Sequence, residues 1–100
     1  MAEFEVYLYV AGKTPRSQMA RRNLQVVLND LVDGKVSVVV IDVVDEPAIA
    51  ESERILATPV AVRVVPQPAR RVVGDFSDAD ALVSGLDLPR RPSEKPNPRR

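Results

Sequence analysis

Phe4, Val6, Leu8 and Val10 alternate with Glu5, Tyr7 and Tyr9, a period of two that predicts a strand with one face in a core. Gly12 ends it. Thr14 then reads as a helix N-cap and Pro15 as the first helical residue, after which Ala20, Leu24, Val27, Leu28 and Leu31 recur at helical spacing as one apolar stripe. Gly34 fits the C-terminal stop. From Val36 to Val44 the chain is almost continuously β-branched, broken only by Ser37 and Asp42, which predicts a strand covered on both faces. Strand, helix and strand in this order imply a parallel pair joined by a right-handed crossover.

The second half is less strongly patterned. Pro47, after Asp45 and Glu46, reads as a helix start, but the segment to Arg54 is short, with Ile49 its clearest core-facing residue. Val60 to Val65 reads as a strand, Pro66-Gln67-Pro68 as a turn and Ala69 to Val73 as the returning strand of a hairpin. Ser77, with Asp80 three residues on, resembles a capping box that opens a last helix through Ala81, Leu82 and Leu86. The predicted order is α/β, βαβαββα, which is that of a thioredoxin-like domain. Lys13-Thr14-Pro15-Arg16 then lies between the first strand and helix, where such a domain keeps its redox cysteines. The chain contains no cysteine.

Composition narrows the chemistry further. The chain is 45% hydrophobic but only 4% aromatic, so its core is built from Val, Leu, Ile and Ala. Without Cys or His it lacks thiolate nucleophiles, structural zinc ligands and the side chain best suited to proton transfer near neutral pH. It has no G-x-x-x-x-G-K-[ST] phosphate loop. Asp75, Asp78 and Asp80 cluster, yet helix capping accounts for them better than a hard cation does. What remains is a surface for binding, with neither cofactor nor metal expected. No apolar run is long enough to span a bilayer and Met1 to Glu5 lacks a basic signal region, so the expected location is cytoplasmic, away from membranes.

The zero net charge hides an asymmetry. Residues 1–88 are acidic on balance, whereas residues 89–100 carry Arg90, Arg91, Lys95, Arg99 and Arg100 against the single acid Glu94. That stretch also holds Pro89, Pro92, Pro96 and Pro98, so it is expected to be a disordered basic tail following a single domain of residues 1–88. A solubilising role fits it better than contact with nucleic acid.

Leu8-Tyr9-Val10-Ala11-Gly12, Thr14-Pro15, Ile41-Asp42-Val43, Ile55-Leu56-Ala57-Thr58-Pro59, Pro66 and Pro68 with Arg70-Arg71, Gly74-Asp75 and Gly85-Leu86-Asp87-Leu88 together resemble the KaiB family of circadian clock proteins over about residues 4–88. The resemblance implies a cis Thr58-Pro59 bond and two folds for one sequence. One is a ground state with a rearranged C-terminal half, self-associated as a dimer or tetramer; the other is a thioredoxin-like monomer that binds the partner. The implied partner is a KaiC-like hexameric ATPase, bound according to its phosphorylation. An activator of the KaiA kind and histidine-kinase output proteins are implied as further partners. Thr58, Pro59, Gly85 and Asp87 are the implied fold-switch positions. Where the family commonly has an aromatic after the Gly-Leu-Asp motif, this chain has Pro89 and Arg90, and Pro89 is expected to weaken a ground-state strand there.

For the binding surface, Arg21, Arg22, Gln25 and Asn29 lie off the apolar stripe of the first helix, with Lys13 and Arg16 at its start. An ordinary solvated face is the bland alternative; given the resemblance, these residues are candidates for partner contact. Arg70 and Arg71 on the returning strand either meet an anionic surface or protect an edge. The strand around Val39 to Val43 offers an edge for β-addition. The rival reading is a cysteine-less thioredoxin-like sensor or adaptor, either like the input module of the kinase SasA or as a KaiB paralogue in stress response.

Overall fold

A computed structural model describes residues 3–92. Its elements are β1 (Phe4–Val10), α1 (Pro15–Leu31), β2 (Val36–Asp42), α2 (Pro47–Ser52), β3 (Val60–Val65), β4 (Arg70–Val73) and α3 (Ala79–Gly85), in the expected βαβαββα order. The four strands form one sheet in the order β2-β1-β3-β4. β1 runs parallel to β2, with Leu8 opposite Val40, and antiparallel to β3, while β3 and β4 form the hairpin.

The alternation in β1 works on both faces of the sheet. Val6, Leu8 and Val10 join Ala20, Leu24, Val27 and Leu28 of α1, and Leu82, Val83 and Leu86 of α3, in the larger core. Tyr9 belongs to the other face, where it packs with Val60 and Val62 beneath Ile49 of α2. Burial raises the Tyr9 pKa above its ordinary value, with Glu53 adding to the effect. A strand that is apolar on both sides belongs at the centre of a sheet, and β1 is central.

β2 departs from expectation. Its β-branched run predicts cover on both faces, but the strand lies at the sheet edge with Val39 44% and Val40 40% exposed. The larger core takes Val6, Leu8 and Val10 of β1 as fully buried residues but Val36 and Val38 of β2 only as partly buried ones, so the outer strand receives only part of the cover that a central position would give. α2 is as short as its sequence suggests and contains no fully buried residue.

The helix ends also show where local signals compete. Thr14 caps α1, its hydroxyl oxygen accepting the Ser17 amide at 3.1 Å. At the other end the cap is the buried, extended Val32. Gly34, expected to stop the helix, lies two residues further on with a φ of 111°, and serves the turn into β2. α3 is capped by Asp78, whose carboxylate accepts the Ala81 amide at 3.0 Å, so Ser77 is not the cap. The Ser77 amide is engaged by the Asp75 carboxylate instead.

Pro89, Arg90 and Arg91, expected to begin a disordered tail, are hydrogen-bonded to the end of α1: Asp33 N–H donates to the Pro89 carbonyl at 2.9 Å and Arg91 N–H to the Leu31 carbonyl at 2.6 Å. Lys95, Arg99 and Arg100 lie outside the described residues.

Capping by Asp78 is separable from capping by Ser77. Thr14→Ala and Asp78→Ala are each expected to cost about 1 kcal/mol, and Ser77→Ala only a few tenths. Urea denaturation of the three variants checks the assignment.

Candidate functional site

The loop between β1 and α1 is organised by one carboxylate. Asp42, at the end of β2, accepts the Gly12 and Val44 amides, each at 2.9 Å. These two bonds hold its pKa below the ordinary 3.8. Gly12 meets the carboxylate with a φ of 68°, which a residue bearing a Cβ adopts only with strain. Lys13, immediately beyond, is exposed. Lys13 and Arg21 line one open depression of about 310 Å³ with Gly12 and Gln18.

The other basic candidates do not join that patch. Arg16 and Arg21 are five residues apart, hence roughly 140° around the helix, and the buried stripe lies between them. On its own side, Arg16 contributes to lowering the pKa of Asp75, though less than the Ser77 amide and hydroxyl do. Arg22 is exposed on the outer side of α1, while Gln25 turns toward the start of β2, its amide 3.4 Å from the Asn29 oxygen. Arg70 and Arg71 are at the far edge of the sheet, and the strand period sends their side chains to opposite faces. Arg71 has an internal partner: it donates to the Glu53 and Arg54 carbonyls at 2.5 and 3.2 Å, tying β4 to the end of α2. Such a cation at a helix C-terminus is favourable on dipole grounds.

The positions implied in fold switching are placed differently. The Thr58-Pro59 bond is cis, as are Val65-Pro66 and Gln67-Pro68. Pro59 is buried, its carbonyl accepting the Gly74 amide, whereas Leu56, three residues earlier, is 95% exposed. Gly85 ends α3 against Val72 of β4, so closely that an added Cβ would collide with the Val72 Cγ2. Asp87 has a φ of 51°, in the left-handed region that Asp tolerates better than most residues.

Sequence reasoning missed Arg63. It is 4% exposed, and its guanidinium donates to the Asp87 carbonyl at 2.9 Å and the Pro68 carbonyl at 2.8 Å. Its Nε has no partner among the described residues, and the Asp87 carboxylate lies 3.9 Å away. The signal was present: Arg63 is the sole charge in Val60–Val65 and, by the period of two, shares a face with the buried Ala61. Among the described residues, no three Asp, Glu, His or Cys side chains converge as a metal site, and no helix is long and apolar enough to cross a membrane.

Residues 7–88 match the KaiB domain. This chain belongs to the KaiB family. The circadian clock oscillator protein KaiB of Prochlorococcus marinus (strain MIT 9312) is 44% identical over 81 residues, which cover 81% of this chain and 77% of that protein. The protein of the same name from Microcystis aeruginosa is also 44% identical, covering 81% and 78%. Among solved structures, the N-terminal domain of Synechococcus elongatus SasA superposes with a TM-score of 0.71 at 26% identity, covering 87% of this chain and 86% of that domain. Mitochondrial thioredoxin 3 of Saccharomyces cerevisiae has a TM-score of 0.66 at 20% identity, covering 87% and 79%. The arrangement of this KaiB-family chain is thus thioredoxin-like.

Two measurements test the local geometry. Gly85→Ala is expected to destabilise the described arrangement by about 1 kcal/mol, overpacking against Val72 exceeding the gain in helix propensity. In a Val72→Ala background the same change should become neutral or stabilising; a double-mutant cycle in urea without coupling would refute the contact. Asp42 titrates at lower pH in the folded chain than in the unfolded one. Its contribution is therefore complete above about pH 4 and is lost as pH falls through the folded value. Stability measured from about pH 5 down to pH 2 should fall more steeply in the wild type than in Asp42→Asn.

Proposed function

We propose that this chain is a non-enzymatic component of a circadian clock or timer that binds a KaiC-like hexameric ATPase according to the ring's phosphorylation and regulates that phosphorylation cycle through a fold switch. The observation that carries the reading is a KaiB-family sequence in an arrangement shared with the SasA N-terminal domain. In the KaiB resemblance, the thioredoxin-like form is the one competent to bind. The loop after β1 and the first turn of α1 hold Lys13, Thr14, Pro15 and Arg16 and no thiol, so that end of the frame serves contact and not electron transfer.

The mechanism is a shift of populations. A ring that recognises only one arrangement draws the chain toward it by no more than the difference in its affinities for the two. Lys13 and Arg21, sharing one depression, form the basic part of the docking surface, with Arg22 and Gln25 adjoining it along α1. Arg16 and Arg70 approach an acidic partner from other sides. Arg71 acts chiefly on α2. Activator or kinase partners, and self-association in a ground state, belong to the same cycle.

The likeness to SasA also supports a second reading, a thioredoxin-like sensor or adaptor module without a redox pair. Size-exclusion chromatography of this chain with the KaiC-like ATPase, phosphorylated and unphosphorylated, separates the two. Co-elution with one phosphoform is expected; indifference to every phosphoform would leave the adaptor reading. Lys13→Glu combined with Arg21→Glu should weaken the complex about tenfold, and more so at low salt, with little change in stability.

A further inference from the structure

The last turn of α1 contains no basic residue, leaving its terminal carbonyls without a cation from the helix itself. They acquire one from the far end of the chain. The Arg91 guanidinium donates to the Asn29 and Val32 carbonyls at 3.0 and 3.2 Å, and its backbone amide to that of Leu31. Asp33 N–H returns a bond to the Pro89 carbonyl, Val32 and Arg90 form an isolated antiparallel bridge, and Arg90 reaches Asp80 of α3 at 2.6 Å. Leu86 and Leu88, just upstream, are buried in the larger core.

We propose that Pro89–Arg91 is a latch that fastens the C-terminal half of the chain to the C-terminus of α1, with Arg91 as its principal contact. The segment joins two parts that the sequence patterns unequally: the β1-α1-β2 unit and the α3 end of the second half. Every one of its contacts with α1 would be broken if α3 and the turn after it were repacked elsewhere. Pro89 suits the role because its missing N–H costs nothing there: its carbonyl makes the bond. Arg91 suits it because the two N–H bonds of one guanidinium nitrogen, Nη2, serve the Asn29 and Val32 carbonyls at once at the negative end of a helix. The latch stands on its own geometry, while its bearing on ring binding rests on the functional reading above.

Hydrogen exchange on the full chain, without any partner, tests the proposal. The Asp33, Leu86 and Leu88 amides, bonded to Pro89, Leu82 and Val83 respectively, report the latch and the end of α3; Leu8 and Ala61, in paired central strands, report global opening. In Arg91→Ala, protection at the first three should fall roughly tenfold, with Leu8 and Ala61 unchanged. Arg91→Lys, which keeps the charge but loses the planar group whose fixed N–H directions point Nη2 at both carbonyls, should fall between and serves the same test should the alanine variant not fold. Unprotected Asp33 in the wild type, unchanged protection in Arg91→Lys, or an equal loss at Leu8 would each overturn the latch. A ring that ignores the chain in every phosphoform would sink the functional reading alone.

Discussion

Arg63 is a cation removed from water on the core face of β3, where an unpaired guanidinium would be strongly unfavourable. Its position requires acceptors, and the acceptors come from two turns that are otherwise independent: Pro68 between β3 and β4, and Asp87 after α3. The hairpin and the last helix are therefore fastened to a common point. Because Asp87 is in left-handed conformation there, the chain leaves α3 in a direction that buries Leu88 and delivers Pro89 to the end of α1. Repacking the C-terminal half means finding new partners for this guanidinium at the same moment. That requirement makes rearrangement of the region cooperative instead of piecemeal.

The opposite end of the sheet is arranged around hydrogen bonds to carboxylates. Asp42 holds the loop that carries Lys13, and Asp75 holds the turn ahead of α3. Both are acceptors for backbone amides, so the acidic balance of the body is partly structural. Basic side chains are left exposed around α1 while carboxylates are drawn into loops. A surface of this kind favours encounter with an acidic partner through long-range attraction. It does so without a thiol, in a frame where thioredoxins place one.

How far the sequence revealed this depends on the range of each interaction. The period of two in β1, the stripe of α1 and the Thr14-Pro15 start are local, and all appear in the structure where they were expected. β2 was misjudged because a β-branched run reports affinity for a sheet, whereas edge or centre is decided by the topology of the whole sheet. The α3 cap moved from Ser77 to Asp78 because two adjacent residues both qualify and Asp75 engages the Ser77 amide. Arg16 and Arg21, both candidates for partner contact and near in sequence, sit on either side of the buried stripe. Arg71 and Arg91 resemble surface charge in the sequence because their acceptors are carbonyls, which every residue carries and no sequence pattern distinguishes. The family resemblance, carried by many short matches in a fixed order, was legible throughout.

For the proposed fold switch, Gly85, Asp87, Arg63 and Arg91 converge on one consequence. The first lets α3 close against Val72, the second turns the chain, the third holds that turn and the fourth secures the Pro89–Arg91 segment to α1. Arg63 and Arg91 hold this arrangement by hydrogen bonds of their own, independently of any ring. A partner that binds this form alone gains apparent affinity in proportion to the fraction already present, up to the limit set by its intrinsic affinity. In the proposed complex, contacts inside the free chain and contacts with the ring would therefore be interchangeable in their effect on its formation. Under the proposed switch, Pro89 and Arg90, standing where an aromatic is common in the resemblance, would shift part of that work from the partner to the chain itself.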